Sequence, residues 1–185
     1  KTSFVTLLDR ILNKYDIRTK LAGNIGNSPL NFISDSYDLD YLILELSSFQ
    51  LNHLNKLELE IGIVLNIYQD HIDWHETFEE YVSSKLKIFN FTTNQENNFL
   101  GPVDSQVNIE GILSKKVKEF NKENFNLDNY FDDFVSIFVD VCEEFAIPKK
   151  EVLEFLSTQP PVEHRFELFH TKNGVKFIND SKSTN

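Results

Sequence analysis

Several short groups of residues in this chain have the types and spacing to handle phosphate and a divalent ion. The chain opens Lys1-Thr2-Ser3 directly before a helical pattern. A Lys followed by a hydroxyl at a helix N-terminus is how a phosphate-binding loop ends: the Lys reaches the β- and γ-phosphates and the hydroxyl binds magnesium. The glycines of such a loop are absent, because the chain begins at Lys1, and three ordinary residues at a terminus are the plainer alternative. Next, the aliphatic run Tyr41-Leu42-Ile43-Leu44 delivers Glu45 to a strand's carboxyl end, followed by Leu46-Ser47-Ser48-Phe49-Gln50-Leu51. Ligands of open α/β sheets bind in the crevice outside those ends, so an acid emerging there can hold magnesium beside a phosphate.

Asp70-His71-Ile72-Asp73 follows a second apolar run at residues 61–67. A His flanked by carboxylates suits a metal ligand, and it suits equally a surface turn that caps a helix. His75 reads as a neighbour without a role. Lys85, in Tyr81-Val82-Ser83-Ser84-Lys85-Leu86-Lys87, reads by itself as a solvated helix lysine. In Glu163-His164-Arg165-Phe166-Glu167 the Arg can clamp a phosphate bidentately, or pair with either glutamate at the surface. The closing run Asn179-Asp180-Ser181-Lys182-Ser183-Thr184-Asn185 follows a strand, where an Asp and a Lys two apart can hold a nucleotide. Each group is modest alone. Together they are expected to build one nucleotide site.

The elements that must position these groups follow from hydrophobic spacing. Phe4, Leu7, Leu8, Ile11 and Leu12 make a helical stripe over residues 2–14. Gly23-Asn24-Ile25-Gly26 is a turn, with a short helix expected at 29–34. Strands are expected at 41–46 and 61–67; two near-continuous apolar runs separated by helical patterns predict parallel pairing with covered faces. A helix is expected over 77–90, with Lys85 near its middle. Residues 92–125, polar and rich in Asn, are expected to form short strands or irregular chain. Leu127, Phe131, Phe134, Phe138, Val141 and Phe145 recur at three- and four-residue spacing, predicting a helix that Pro148 ends. Cys142 beside that stripe is a small buried hydrophobe. A shorter helix follows at 150–157, then a hairpin of strands 166–170 and 175–178 turning at Asn173-Gly174.

Composition sets the bounds. At 185 residues the chain fits one α/β domain with a sizeable core. With 41% hydrophobic and 25% charged residues it has the composition of a globular protein. A net charge of −11 argues against nucleic acid and anionic membrane as partners, though a nucleotide needs only a local nest of N–H groups and one or two basic side chains. One cysteine allows no internal disulfide, which predicts a reducing compartment, by default the cytoplasm. No run reaches the ~18 apolar residues of a membrane span. Met is absent even from position 1, so the chain is expected to be a piece of a longer protein.

The order of Lys1-Thr2, Gly23-Asn24-Ile25-Gly26, Glu45 to Leu51, Asn66 to Asp73, Tyr81 to Ile88, His164 to Glu167 and Asn179 to Asn185 resembles that of the Mur ligases. The resemblance runs over essentially the whole chain and is weakest in the Asn-rich middle. Glu45-Leu46-Ser47-Ser48-Phe49-Gln50-Leu51 and Asn179-Asp180-Ser181-Lys182-Ser183-Thr184-Asn185 resemble the segments of the D-glutamate-adding members. What the resemblance implies is a central ATP-binding domain of P-loop NTPase type, a mostly parallel sheet flanked by helices with a small C-terminal hairpin. A UDP-binding domain would precede Lys1, a further domain would follow Asn185, and the isolated piece would be inactive. The implied reaction is ATP-dependent addition of D-glutamate to UDP-N-acetylmuramoyl-L-alanine through an acyl phosphate, in peptidoglycan precursor synthesis, by a monomer.

By the same resemblance Lys1 is the phosphate-loop lysine, with Thr2 and Ser3 beside it, and Thr2 also reaches magnesium. Glu45 binds the ion bridging the β- and γ-phosphates, and His71 binds a second ion. Lys85 matches a lysine carried as a carbamate, whose two oxygens are hard ligands suited to magnesium. Asn24, Ser47 and Gln50 fall on the muramoyl-substrate side. Arg165, Asp180 and Lys182 contact ATP, and Thr184 lies toward the amino acid. The family's His-Asn-x-x-Asn adenine motif is best matched by Phe125-Asn126-Leu127-Asp128-Asn129, which gives Asn126 and Asn129 but has lost the His. The rival readings are a Mur ligase for another amino acid and an inactive nucleotide-binding domain.

Overall fold

The computed structural model describes residues 1–32, 38–113, 115–120 and 134–182. They divide between two compact units, one of Lys1–Glu45 with Asn124–Asn185, the other of Leu46–Glu123.

In the first unit, helix α1 (Thr2–Lys14) buries Phe4, Leu7, Leu8, Ile11 and Leu12, the stripe its spacing predicts. Strands β1 (Thr19–Gly23) and β2 (Tyr41–Glu45) pair in parallel, from Thr19 opposite Tyr41 to Gly23 opposite Glu45. α1 packs against both strands, but Leu42 of β2 stays exposed and Tyr41, Ile43 and Leu44 are half-buried, so the faces that the apolar run leads one to expect covered are covered only in part. Gly23 ends β1 at φ +97°, and a Cβ there would overlap the Glu45 carbonyl oxygen. Only glycine lets the two strand ends come this close. Helix α5 (Val135–Glu143) meets α1 through Phe4, whose ring lies edge-on to that of Phe134, the residue before the helix, at 5.4 Å and to that of Phe138 at 5.2 Å.

The helices and strands between these come from the second unit. It holds α2 (Ser48–His53), β3 (Gly62–Val64), α3 (Ile72–His75), α4 (Phe78–Leu86), β4 (Asn98–Leu100) and β5 (Lys118–Glu119). β3, β4 and β5 form a parallel sheet in that order. Val64, Ile67, Tyr81, Val82, Leu86, Phe89 and Leu100 make one core, joining α4 to this sheet. The first unit closes with α5 (Val135–Glu143), α6 (Lys149–Thr158) and an antiparallel hairpin, β6 (Glu167–Lys172) and β7 (Val175–Asn179). Both turn residues take left-handed backbone, Asn173 at φ 51° and Gly174 at φ 78°, the conformation that makes an Asn-Gly pair a hairpin turn.

Parallel sheets flanked by helices, with a C-terminal hairpin, are the architecture expected from the sequence. Element bounds differ in ways that have physical causes. The strand expected at 61–67 covers Gly62–Val64, with Ile67 bridging separately to Val103. The helix expected over 77–90 stops at Leu86 and tightens into a 3-10 turn, Lys87–Phe91, which buries Phe89 and Phe91. The short helix near 29–34 is a 3-10 turn over Pro29–Phe32, and residues 33–34 lie outside the described residues. So does residue 127 and the rest of the expected long helix before Phe134. Among the described residues no helix is long and apolar enough to cross a membrane.

Candidate active site

The first unit gathers four segments around one carboxylate. Glu45, at the end of β2, is 4% exposed. Its Oε2 accepts the Thr2 hydroxyl at 2.9 Å and its Oε1 accepts the Asn24 amide at 3.3 Å, while the Asn24 N–H donates to the Glu45 carbonyl at 2.7 Å. Arg165 Nη2 in turn donates to Thr2 Oγ1 at 3.0 Å. The start of α1, the end of β1, the end of β2 and the His-Arg-Phe-Glu segment therefore meet at one hydroxyl and one acid. Lys1 precedes α1 and is exposed; its carbonyl accepts from Val5 N–H at 3.1 Å, and Ser3 is half-buried in the first turn.

Arg165 sits between two left-handed residues, His164 at φ 64° and Phe166 at φ 49°. Side chains with a Cβ rarely adopt this backbone, and such strain is held by surrounding bonds. Here those bonds come from the closing segment. Asp180 Oδ1 accepts from Phe166 N–H at 2.9 Å, and Lys182 N–H donates to the His164 carbonyl at 3.1 Å. Asn179 Nδ2 lies 2.7 Å from His164 Nδ1. Asp180 and Lys182 thus brace the Arg165 turn through one carboxylate oxygen and one backbone amide. Arg165 Nε is buried and meets no protein acceptor among the described residues. A guanidinium with one unpaired buried donor beside a hydroxyl and an acid suits a phosphate oxygen arriving from outside. Thr184, and with it Asn126 and Asn129, lie outside the described residues.

A magnesium ion fits the Thr2–Glu45 pair. Both present oxygen, the hard donor this ion takes, and the acid's neighbours are neutral donors that a cation can replace.

The second unit carries the other candidates. Ser47 and Gln50 cap α2 reciprocally: Ser47 Oγ accepts from Gln50 N–H at 3.2 Å, and Gln50 Oε1 accepts from Ser47 N–H at 2.8 Å. Their side chains therefore fix the helix start in this structure. His71 lies at φ 54°, with its N–H on Asp70 Oδ1 at 2.8 Å and its Nε2 3.4 Å from Asp70 Oδ2. Lys85 Nζ donates to the Asn66 carbonyl at 2.8 Å and the Tyr81 hydroxyl at 3.0 Å, and stands 4.8 Å over the Tyr81 ring. Burial, with Asp70 adding to it, pushes the Tyr81 hydroxyl up to about 12, so it stays a neutral phenol. Among the described residues no three His, Cys, Asp or Glu side chains form a metal cage. An ammonium at Lys85 adds only positive charge, so a second metal does not fit the unmodified lysine.

Sequence reasoning passed over His75. It is fully buried, its Nε2 is 2.8 Å from Ser48 Oγ, and burial lowers its pKa, so the ring is neutral. Phe49 stacks on it at 5.4 Å and 8°. The available signal was its position four residues after His71, which is the spacing of one helical face.

A family model for the Mur ligase middle domain matches residues 1–155. The chain belongs to the Mur ligase family, whose members are ATP-dependent ligases that use magnesium. Over its whole length it is similar to the UDP-N-acetylmuramoylalanine--D-glutamate ligases of Thermosipho africanus (strain TCF52B), 35% identical over 198 aligned positions, and Thermosipho melanesiensis (strain DSM 12029 / CIP 104789 / BI429), 35% over 193. The same-named ligase of Francisella philomiragia subsp. philomiragia is 29% identical over 193 positions. The chain spans 45%, 45% and 46% of those proteins' lengths.

Proposed function

We propose that this chain is the central, ATP-binding part of a longer ligase that joins D-glutamate to UDP-N-acetylmuramoyl-L-alanine in peptidoglycan precursor synthesis. A UDP-sugar-binding domain precedes it and a domain that closes over ATP and D-glutamate follows it. The enzyme acts in the cytoplasm as a monomer. The convergence of Thr2, Asn24, Glu45 and Arg165 carries the reading, because it joins segments that have no shared structural need for an acid, a hydroxyl and a guanidinium at one point.

In the reaction, the alanyl carboxylate attacks the γ-phosphorus of ATP, the bond to the bridging oxygen breaks, and ADP leaves. The amine of D-glutamate then attacks the acyl carbonyl, phosphate departs, and the amine loses a proton as the amide forms. Lys1 and Arg165 place positive charge against the phosphates, the kind of contribution that dominates phosphoryl transfer. Thr2 and Glu45 would hold magnesium, which when bound would neutralise charge on the phosphates. The Thr2 hydroxyl and the Asn24 amide fix the Glu45 carboxylate in place. Asp180 and Lys182 hold the turn that aims Arg165. In the other unit, carbamylation of Lys85 would turn a cation into an oxygen donor of opposite charge, and only then would Lys85 and His71 together suit a second magnesium. Ser47 and Gln50 fix the start of α2 on the muramoyl-substrate side.

The test is phosphate release by the full-length protein with ATP and UDP-N-acetylmuramoyl-L-alanine, offered D-glutamate, L-glutamate, glycine and L-lysine in parallel. Release with D-glutamate alone is expected. Release with another of the four makes the protein a ligase for that amino acid, and ATP binding without release makes it a degenerate nucleotide-binding domain.

A further inference from the structure

His75 is a buried side chain that the proposed reaction leaves unused, and its surroundings tie it to His71. Its ring makes one protein hydrogen bond, Nε2 to Ser48 Oγ at 2.8 Å, while Nδ1 meets no partner among the described residues. A buried polar atom without a partner is costly, so the site keeps an imidazole at a position where an apolar ring would avoid that cost. Phe49 is the hub of the cluster. Its ring stacks on His75 at 5.4 Å, meets Trp74 edge-on at 4.8 Å and lies against His71 at 5.0 Å.

The backbone carries the same link. His75 N–H donates to the His71 carbonyl at 3.1 Å, and Trp74 N–H donates to it at 3.2 Å. α3 is a single turn between two positive-φ residues, His71 at 54° and Glu76 at 59°. Four residues of helix have little intrinsic stability, and left-handed His backbone is disfavoured. The turn needs an outside anchor, and among the described residues the Ser48–His75 bond is a buried one that supplies it.

We propose that His75 is a positioning residue: through Ser48 it pins the α3 turn to the start of α2, and through Phe49 and its own N–H it sets the backbone and ring orientation of His71. The proposal rests on the reading of His71 as a magnesium ligand. It adds that the second serine of the Ser-Ser-Phe-Gln segment serves the metal side from behind, by way of a histidine that touches neither ion nor substrate. Groups that orient a ligand from behind commonly change metal affinity by about 10- to 100-fold.

The experiment compares wild type with His75→Phe, Ser48→Ala, His71→Ala and the His75→Phe/His71→Ala double variant in the full-length protein. The magnesium concentration for half-maximal phosphate release is measured, with crystal structures of wild type and His75→Phe. His75→Phe keeps the ring stack and removes the hydrogen bond; Ser48→Ala removes the same bond from the other side and covers the case in which the first variant does not fold. Each is expected to raise the half-saturating magnesium about tenfold with KM for ATP unchanged, and His71 is expected to leave its left-handed backbone. In the His71→Ala background His75→Phe is expected to add less than about a twofold effect, because it acts through a group already removed. Equal effects in both backgrounds, or a His71 that keeps its place in the His75→Phe crystal, overturn the proposal. If wild type releases no phosphate, the functional reading fails, and the crystal comparison still decides whether His75 positions His71.

Discussion

The Thr2 hydroxyl donates to Glu45 Oε2 at 2.9 Å across a sequence separation of 43 residues, and the same hydroxyl accepts from Arg165 Nη2 at 3.0 Å. One oxygen at the first turn of α1 thereby connects the acid of β2 to the guanidinium braced by the end of β7.

Glu45→Gln tests the acid directly. An amide keeps the shape and its oxygen still accepts from Thr2, while its NH2 pairs with Asn24 only once the Asn24 amide turns over to present its oxygen. The folded state is therefore expected to hold, with an unfolding free energy within about 2 kcal/mol of wild type. If Glu45 is the magnesium ligand proposed above, turnover is expected to fall by at least about 100-fold, since the ion would lose a charged protein ligand. Phosphate release across a magnesium titration, beside urea unfolding, measures both. Unchanged turnover would remove Glu45 from the metal site.

Gly23 and Gly174 both have positive φ, yet substitutions at them are expected to differ. At Gly23 (φ +97°) a Cβ would press into the Glu45 carbonyl, whereas at Gly174 (φ +78°) it would meet nothing within 4 Å. Gly23→Ala is expected to cost well over about 1 kcal/mol and to displace Glu45, lowering turnover as well. Gly174→Asn, a residue that tolerates left-handed backbone, is expected to stay within about 0.5 kcal/mol of wild type. Urea unfolding of the two variants gives the comparison, and equal costs would contradict the close approach of the two strand ends.

What the sequence made legible follows a physical division. The α1 stripe, the β2 strand and the Asn173-Gly174 turn were readable because spacing and backbone preference are local properties. The structure buries the stripe and bends the turn, while β2 forms but leaves Leu42 exposed and Tyr41, Ile43 and Leu44 half-buried, short of the covered faces its apolar run predicts. Glu45 was readable as a strand-end acid and was grouped with Thr2 and Arg165 as parts of one expected nucleotide site. Those partners come from far along the chain, their contacts were not readable, and Asn24 joined them only through the family resemblance. His75 was readable only as a His four residues after His71; neither periodicity nor charge reports its burial against Ser48 and Phe49. The short parallel strands β4 and β5 fall within residues 92–125, where short strands or irregular chain were expected, but their positions were not readable: Asn98 is fully buried, its Nδ2 on the Lys116 carbonyl at 3.0 Å, so a polar residue occupies a core strand position.

Alkaline pH is expected to destabilise the protein through two buried acids. Burial pushes the Tyr81 hydroxyl from 10.0 to about 12, and burial with Glu143 pushes the Cys142 thiol from 9.0 to about 12. Between the unfolded and folded values the native chain holds protons that the unfolded chain has lost, so stability falls as pH rises. The stabilisation is complete below about pH 9 and is lost progressively toward pH 12. Urea unfolding at pH 8, 10 and 11 should show the decline. Cys142→Ala should flatten it from pH 9 upward and Tyr81→Phe only from pH 10; identical slopes in both variants and wild type would remove these groups as the cause.

Lys85 supplies the most demanding prediction, because its present partners favour the ammonium. The Asn66 carbonyl, the Tyr81 hydroxyl and the Tyr81 ring all attract a cation. For the lysine to serve magnesium, its neutral amine must attack carbon dioxide, form an N–C bond and release a proton, leaving a carbamate that keeps one N–H donor. The gain in metal binding must exceed the loss of the cation's contacts, so modification and magnesium are expected to depend on one another. Full-length protein prepared without carbon dioxide should turn over slowly and recover with bicarbonate. With 13C-bicarbonate it should show one carbamate carbonyl signal that strengthens with magnesium. Lys85→Ala should be nearly inactive and regain part of its rate with short-chain carboxylates. Full activity without carbon dioxide, combined with an inactive Lys85→Ala, would leave the lysine essential as a cation and exclude the carbamate.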